Sequence, residues 1–248
     1  MKKILFYCVL FCFFVSSCSC GKRKPRGKTE LLKEINQTTV IKNNKAKGNS
    51  KNIIKQQRTN ERLLSTDIFE RCNSAVFTIY TSDDASVFQG SGFFISSDGL
   101  AVSNYHVFES TYMGLEEIRL FNGNTYKIKE VVTKDKEDDF IIFKVDIGEL
   151  KNNYLPISNR APHVGEKVYA IGSPLGLENT FTSGEISQLR GENNEIIQIS
   201  VPIDHGSSGG ALINEYGEVI GITTSGIDAS GANLNFAINI NLIKEYLQ

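Results

Sequence analysis

Ser208 lies in a segment of unusual composition, Gly206-Ser207-Ser208-Gly209-Gly210. Glycine permits tight turns and leaves the backbone N–H groups unshielded, so that consecutive N–H groups in such a turn are able to bind one developing negative charge. The pattern therefore indicates a serine nucleophile at position 208, with an oxyanion site formed by the backbone of Gly206, Ser207 and Ser208. Taken alone, the same residues are also typical of a glycine-rich hairpin loop.

A serine hydroxyl is a poor nucleophile unless a base takes its proton, and the chain has three histidines. His205 is in the same loop as Ser208 and is badly placed to reach back to it, and His163 follows a proline in a predicted surface connection. His106 ends a β-rich run, Val102-Ser103-Asn104-Tyr105-His106. A lone histidine at such a position is more often structural, but His106 is the candidate base.

The base needs a carboxylate that holds its tautomer and stabilises the imidazolium. Asp139 directly precedes the apolar run 140–145. A carboxylate at the start of a buried strand costs desolvation free energy, which a functional role would explain. Asp138 and Glu137 serve this role equally well on these grounds, and all three are also ordinary turn residues. The order histidine, aspartate, serine is one of the known orders of a catalytic triad.

These candidates must be positioned by the elements around them, and those elements are predicted to be strands. From residue 74 onward about a dozen short apolar runs alternate with turn residues, which favours an all-β sandwich or a pair of barrels. A short helix capped by Thr66 or Asp67 is predicted before the strands. A terminal helix capped by Asn239 or Asn241 is predicted after them.

The overall charge of −1 combines two segments of opposite charge with Lys2 and Lys3 near the N-terminus. Residues 21–60 contain twelve basic and two acidic side chains, a net charge of +10, whereas residues 61–248 contain thirteen basic and twenty-six acidic side chains, a net charge of −13. The basic segment lacks aromatic residues and periodicity, which predicts a disordered tether over 18–60. Without aromatic stacking or a folded basic module, nucleic-acid binding is not expected.

Residues 1–17 have the pattern of a signal peptide, with Lys2 and Lys3 before an apolar run over 4–15 that is too short to span a membrane. The run ends in Val15-Ser16-Ser17-Cys18, which resembles the lipobox of bacterial lipoproteins. We therefore expect export, with lipidation at Cys18 and attachment to the membrane of the cell envelope. Ordinary signal-peptidase cleavage nearby, or cleavage before Cys20, is the alternative. The remaining cysteines suggest neither a disulfide framework nor a zinc site, and no metal or cofactor is expected.

Six ordered blocks of the chain resemble the HtrA (Deg) family of trypsin-like serine proteases, over about residues 66–248. They are 90–95 with Asp98-Gly99 and 104–107, 139–145, 170–177, 182–184, 206–212 and 235–238.

This resemblance implies an all-β trypsin-like (chymotrypsin) fold with short terminal helices. Its two perpendicular six-stranded β-barrels would span about 72–150 and 156–240 of a protease domain at 61–248. The resemblance selects Asp139 as the acid, with His106 and Ser208 completing the triad in the cleft between the barrels. It also implies a specificity pocket lined by Ile203, Ser225, Gly226 and Leu234. Since neither Pro202 nor Ile203, at the expected base of that pocket, is a carboxylate, small or medium aliphatic side chains are the expected preference.

Members of the family commonly continue into PDZ domains, and we expect the protease domain without one. The predicted function is an exported serine endopeptidase that acts on unfolded or exported proteins in quality control of the envelope, and a homotrimer is a possible assembly. The alternatives are a catalytically silent binding or sensor protein and a processing protease with one dedicated substrate. A glutamyl endopeptidase of the same fold would need a histidine near 223–225, where there is none.

Overall fold

In the computed structural model of the protein, the described residues are 60–83, 86–109, 111–112, 114–149, 151–173, 179–227 and 234–247. The predicted signal peptide, the lipidation site Cys18 and all of the tether but its last residue lie outside them. Among the described residues, no helix has the length and apolar character that crossing a membrane requires.

The first half of the described chain forms a seven-stranded antiparallel sheet in the order β5-β4-β1-β2-β3-β7-β6. Strand β7 is apolar on both faces because both faces are buried: Phe140 and Ile142 join one core cluster, and Ile141 and Phe143 join another. The strands are β1 (Val76–Ser82), β2 (Val87–Phe94), β3 (Leu100–Ser103), β4 (Glu117–Leu120), β5 (Thr125–Tyr126), β6 (Ile128–Asp135) and β7 (Phe140–Val145).

The second half forms a closed barrel of six strands in the order β10-β13-β12-β11-β8-β9. One core cluster, which includes Val168, Ile197 and Leu212, consists entirely of residues from this half of the chain. A shared cluster connects the barrel to the first sheet through Val102, Tyr169 and Ala211. The strands are β8 (Lys167–Gly172), β9 (Thr180–Arg190), β10 (Ile196–Ile199), β11 (Ala211–Asn214), β12 (Val219–Ile227) and β13 (Leu234–Asn239).

The all-β trypsin-like fold predicted from the sequence is confirmed, and the first sheet differs from the predicted six-stranded barrel. It has seven strands, and among the described residues β5 and β6 are its edges and do not pair to close it. One apolar run is divided at Lys127, since β5 ends at Tyr126 and β6 begins at Ile128. The Lys127 ammonium donates to the backbone carbonyls of Leu115 and Glu116 at 3.4 and 2.8 Å. Lys127 therefore connects the residue between β5 and β6 to the segment just before β4.

Both terminal helices are present, with one cap as predicted and one different. Helix α1 (Ser65–Cys72) begins after Leu64 without a side-chain cap, so the prediction of Thr66 or Asp67 is wrong. The chain before the helix is held by tertiary contacts instead, since Leu63 N–H donates to the Glu215 carbonyl at 2.8 Å. The 3₁₀ helix Ile240–Leu247 follows Asn239, whose side chain accepts from the Asn241 N–H at 3.0 Å, as predicted.

Cys72, at the end of α1, is fully buried and unpaired. Burial raises the pKa of its thiol to about 12, so the side chain stays protonated and unreactive at neutral pH. It is therefore a core residue.

Candidate active site

The nucleophile loop, residues 206–210, connects the segment after β10 to the first residue of β11. Gly206 and Gly209 have φ angles of 95° and 86°, in the left-handed region that favours glycine. At Gly209 a side chain is excluded by packing as well, because a Cβ atom there would lie 2.1 Å from the Ser91 carbonyl oxygen. Ser208 stands between these turns and is 9% exposed.

Hydrogen bonds within the loop decide which N–H groups face outward. The Ser207 carbonyl accepts from Gly210 N–H at 3.0 Å and from the Thr223 hydroxyl at 2.7 Å. Because the C=O and N–H of one peptide group point in opposite directions, the Ser208 N–H is directed away from both donors. Among the described residues, neither the Ser208 nor the Gly206 N–H has a hydrogen-bond acceptor within the protein. These two N–H groups are available to an external anion.

The predicted set of oxyanion donors stays a prediction, and the Ser207 N–H differs from the two others in having an acceptor within the protein. It donates to the Asp204 carbonyl at 2.9 Å, which closes a turn within the loop. A single N–H makes one strong hydrogen bond. Ser207 therefore contributes to the conformation of the loop, and Gly206 and Ser208 remain as donors.

The Asp139 corner consists of Asn104, Tyr105, His106 and Asp139. The Asp139 carboxylate accepts from the His106 backbone N–H at 2.9 Å through Oδ1 and contacts the ring Nδ1 at 2.8 Å through Oδ2. An ionised carboxylate here requires a proton on Nδ1, which leaves Nε2 free to act as a base. The side chains of His106 and Asp139 are 38% and 27% exposed, so substrate is able to reach them.

The two residues that were alternatives to Asp139 lie in the turn that precedes it. The backbone N–H groups of Glu137 and Asp138 donate to Asp135 Oδ1 at 2.8 and 3.0 Å, forming the turn before Asp139. Burial, followed by the charges of Asp135 and Glu137, raises the pKa of the Asp138 carboxyl. Only Asp139 of the three carboxylates is hydrogen-bonded to His106 in this described turn.

The nucleophile loop is hydrogen-bonded to β2 of the first sheet, which is in turn bonded to the end of β3. The Ser208 carbonyl accepts from Ser91 N–H at 2.8 Å, and the Ser91 carbonyl accepts from the Ser103 hydroxyl at 2.7 Å. Ser103 ends β3 three residues before His106, so two hydrogen bonds in series connect the nucleophile loop to the strand that leads to His106. Among the described residues no hydrogen bond joins Ser208 to His106, and such contacts often tighten only when substrate binds.

The other two histidines are exposed, and His163 has a local role. Its Nδ1 lies 3.2 Å from Glu166 Oε1 on the surface. His205 is exposed beside the nucleophile loop. Within the described ranges, no group of histidine, cysteine and carboxylate side chains is arranged to hold a metal ion.

The predicted specificity residues fall into two places. Ile203 lines a small cavity of about 40 Å³, together with Pro202, Asp204, Ser207 and Thr223. Gly226 instead packs against β13, where an added Cβ would lie 2.4 Å from the carbonyl oxygen of Leu234. Leu234 is 36% exposed, and the side chain of Ser225 is outside the described atoms. Asp204 brings a carboxylate to the lining of this cavity, whereas the expected aliphatic preference assumed none at its base, and that preference stays a prediction.

Two residues of the site were missed by sequence reasoning, Asn104 and Thr223. Asn104 is fully buried and donates through Nδ2 to the Asp139 carbonyl at 2.9 Å, beside the Tyr105 N–H at 3.2 Å. These donors hold the backbone of Asp139, whose φ is 52°. A buried amide two residues before the candidate base is the signal that would have found Asn104. The Thr223 contact joins residues distant in sequence and has no local signal.

Comparison with known proteins identifies the family and the fold. Residues 90–222 match the family model described as "Trypsin-like peptidase domain", which is more than half of the chain. "Serine protease HTRA1A" of Danio rerio is 37% identical over 184 residues, covering 68% of this chain and 36% of the relative. "Probable periplasmic serine endoprotease DegP-like" of Rhizobium meliloti is 35% identical over 158 residues, covering 61% of this chain and 31% of the relative.

The solved structure of the serine endoprotease from Yersinia pestis superimposes with a TM-score of 0.65 at 32% identity, covering 75% of this chain and 65% of that one. This chain spans about a third of the length of the two curated relatives described above. Fold, family model and relatives agree, and the chain belongs to the HtrA family of trypsin-like serine proteases.

Proposed function

We propose that this protein is a serine endopeptidase that hydrolyses peptide bonds with His106, Asp139 and Ser208. The observation that carries the proposal is the contact of the Asp139 carboxylate with both the backbone N–H and the ring Nδ1 of His106. Two further hydrogen bonds, from the Ser91 N–H to the Ser208 carbonyl and from the Ser103 hydroxyl to the Ser91 carbonyl, connect the nucleophile loop to the end of β3, three residues before His106. A carboxylate that orients an imidazole near a serine on a glycine turn is the arrangement used for acyl transfer.

In the proposed reaction, Ser208 Oγ attacks the scissile carbonyl carbon while His106 Nε2 takes the hydroxyl proton. The carbonyl oxygen becomes an oxyanion that the N–H groups of Gly206 and Ser208 stabilise. His106 then gives its proton to the leaving amine, and a water molecule hydrolyses the acyl-enzyme by the same steps in reverse. Throughout, Asp139 holds the imidazole and stabilises its positive charge.

The decisive test is labelling by a fluorophosphonate, which reacts only with an activated serine. The wild-type protein should be labelled at Ser208 and should degrade unfolded casein. Ser208→Ala should lower turnover by roughly a million-fold with the fold intact, and His106→Ala should not be labelled. Mass-spectrometric mapping of the adduct distinguishes Ser208 from Ser207 and Ser200.

The same experiment separates the alternatives. A folded wild-type protein that binds casein but is not labelled would be a silent binding or sensor protein. A labelled protein that leaves casein intact would be a processing protease with one dedicated substrate. Cleavage of a peptide library after basic or acidic residues would contradict the aliphatic preference proposed for the pocket at Ile203.

We further propose that the protein acts on unfolded or exported proteins in the bacterial cell envelope, attached by a lipid on Cys18. The Rhizobium meliloti relative is named as periplasmic, and the leader has the sequence of a lipoprotein signal. Wild-type protein should incorporate labelled palmitate and partition into detergent, and Cys18→Ser should do neither. A homotrimer is a possible assembly by resemblance, and light scattering of the purified protein would measure it.

A further inference from the structure

Ser91, in the middle of β2, is bonded to the nucleophile loop through both its backbone and its side chain. Its N–H donates to the Ser208 carbonyl at 2.8 Å, and its hydroxyl donates to the Gly206 carbonyl at 2.7 Å. The hydroxyl also accepts from the Ser173 N–H, just after β8, at 2.9 Å. One fully buried serine of the first sheet therefore connects two segments of the second barrel.

We infer that Ser91 is a positioning residue that holds the oxyanion-binding backbone of the nucleophile loop in its reactive conformation. The inference rests on the proposed serine protease function. Three consecutive carbonyls of the loop each have a donor on the interior side: Gly206 and Ser208 from Ser91, and Ser207 from Thr223 and Gly210. The Ser208 N–H shares its peptide group with the Ser207 carbonyl, so holding that carbonyl inward turns this N–H toward the opposite side, where an oxyanion would form. Ser91 holds the carbonyls on either side of it.

The surroundings of Ser91 leave little room for a substitute for its hydroxyl. A Cβ at Gly172 would lie 3.3 Å from Ser91 Oγ, and a Cβ at Gly209 would lie 2.1 Å from the Ser91 carbonyl oxygen. Both neighbouring backbones are thus already close to the serine. Removing the hydroxyl leaves the Gly206 carbonyl without its donor and the Ser173 N–H without its acceptor. Buried polar groups seek partners, so the loop is expected to change conformation.

The test compares Ser91→Ala with a matched control, Ser158→Ala. Ser158 is also buried, and its hydroxyl likewise has an acceptor, Glu218 Oε2 at 3.0 Å, and a backbone donor, Arg160 N–H at 3.0 Å. It lies in the connection between β7 and β8 and contacts no residue of the nucleophile loop among the hydrogen bonds of the described chain. Any effect of losing a buried serine hydroxyl in general should therefore appear in both variants.

Ser91→Ala should lower kcat on a peptide amide substrate by about 10- to 100-fold, somewhat less than the loss of an oxyanion donor itself, with KM unchanged. The inhibition constant of a peptide boronate should rise by a similar factor, because its tetrahedral adduct occupies the oxyanion site. Ser158→Ala should change neither value. Equal kinetic losses in the two variants, or an unchanged boronate constant in Ser91→Ala, would overturn the positioning role.

A second measurement does not depend on catalysis. Hydrogen exchange of peptides covering residues 203–210 should be faster in Ser91→Ala than in wild type, and unchanged in Ser158→Ala. Unchanged exchange in Ser91→Ala would show that this loop does not depend on Ser91. If exchange were faster in Ser91→Ala but the wild-type protein showed no Ser208-dependent hydrolysis, the proposed protease function would be refuted. The role of Ser91 in holding the loop would still stand.

Discussion

The Asp139 corner and the nucleophile loop both hold a candidate catalytic residue on irregular backbone, and they do so by different means. In the corner, side chains hold the backbone: the Asp139 carboxylate contacts His106, and Asn104 binds the Asp139 carbonyl. In the loop, the turns depend on glycines at 206 and 209, and Ser208 takes part through its backbone. The corner should therefore be sensitive chiefly to changes of functional group. The loop should be sensitive to changes of backbone freedom as well as to loss of the Ser91 and Thr223 hydroxyls that bind its carbonyls.

Among changes that leave Ser208 and His106 in place, Asp139→Asn should have the largest effect, a loss of about 10⁴-fold in kcat, because it replaces one carboxylate oxygen of the corner with an amide NH₂. The amide oxygen would still accept from the His106 backbone N–H, so the amide NH₂ would face Nδ1. The imidazole would then carry its proton on Nε2 and be unable to accept one from Ser208. Kinetics of the purified variant measure this loss, with an unchanged melting temperature as evidence of folding.

The neighbouring carboxylate supplies the control for that prediction. Asp138→Asn makes the same chemical change one residue away, at a side chain that is not bonded to His106. It should leave kcat unchanged. Comparable losses in both variants would mean that the charge of this turn, and not the Asp139–His106 contact, supports activity.

Gly209→Ala should break the nucleophile loop by lowering the free energy of unfolding by about 3 kcal/mol, the sum of left-handed strain and overpacking. The added Cβ would meet the Ser91 carbonyl and the Ser103 hydroxyl at 2.1 and 2.3 Å. The remaining folded protein should be inactive, because its loop must shift. Urea denaturation and fluorophosphonate labelling measure the two effects.

Gly123→Ala separates strain from packing. Gly123 has a φ of 82°, close to the 86° of Gly209, but nothing lies within 4 Å of an added Cβ. Its cost should be only the strain, about 1–2 kcal/mol. If the two variants were destabilised equally, the contact between Gly209 and Ser91 would not be tight.

The comparison also shows how far sequence reasoning reaches. His106, Asp139 and Ser208 were predicted because a reactive side chain in an apolar or glycine-rich run stands out, and the family resemblance chose Asp139 over its neighbours. Asn104, Ser91 and Thr223 act on carbonyl groups, and those contacts depend on packing between distant segments. The Ser91 hydroxyl reaches a residue 115 positions away.

The missed cap of α1 has a similar cause. Thr66 and Asp67 are good capping residues, but the structure starts the helix after Leu64, whose own side chain provides no cap. The Leu63 N–H is bonded to Glu215, and Ile68 and Cys72 face the core. Tertiary packing thus decided where the helix begins, which a local pattern does not reveal.

Asn104→Asp should have a smaller effect on the corner, about tenfold in kcat, of the order of one hydrogen bond. The substitution keeps the shape of the side chain and replaces the donor that faces the Asp139 carbonyl with an acceptor. The Tyr105 N–H still holds that carbonyl at 3.2 Å, which limits the loss. KM should stay constant, since Asn104 is fully buried and does not face substrate. An unchanged kcat would show that Tyr105 alone fixes Asp139.

The smallest effect is expected far from Asp139 on β7, where Lys144 Nζ lies 2.6 Å from Asp98 Oδ2. This contact, followed by the Ser96 hydroxyl, lowers the pKa of Asp98 to about 2. The Asp98 side chain is 56% exposed, so Lys144→Met should lower the free energy of unfolding by less than about 1 kcal/mol. Because the folded pKa lies below the unfolded value, the contribution is present above about pH 4 and is lost as the pH falls toward 2. Denaturation of both proteins between pH 7 and pH 3 measures the difference in their free energies of unfolding, which should shrink with acid. At neutral pH the variant should have the same kcat as the wild type. A difference that grew on acidification would mean that another group titrates with Lys144.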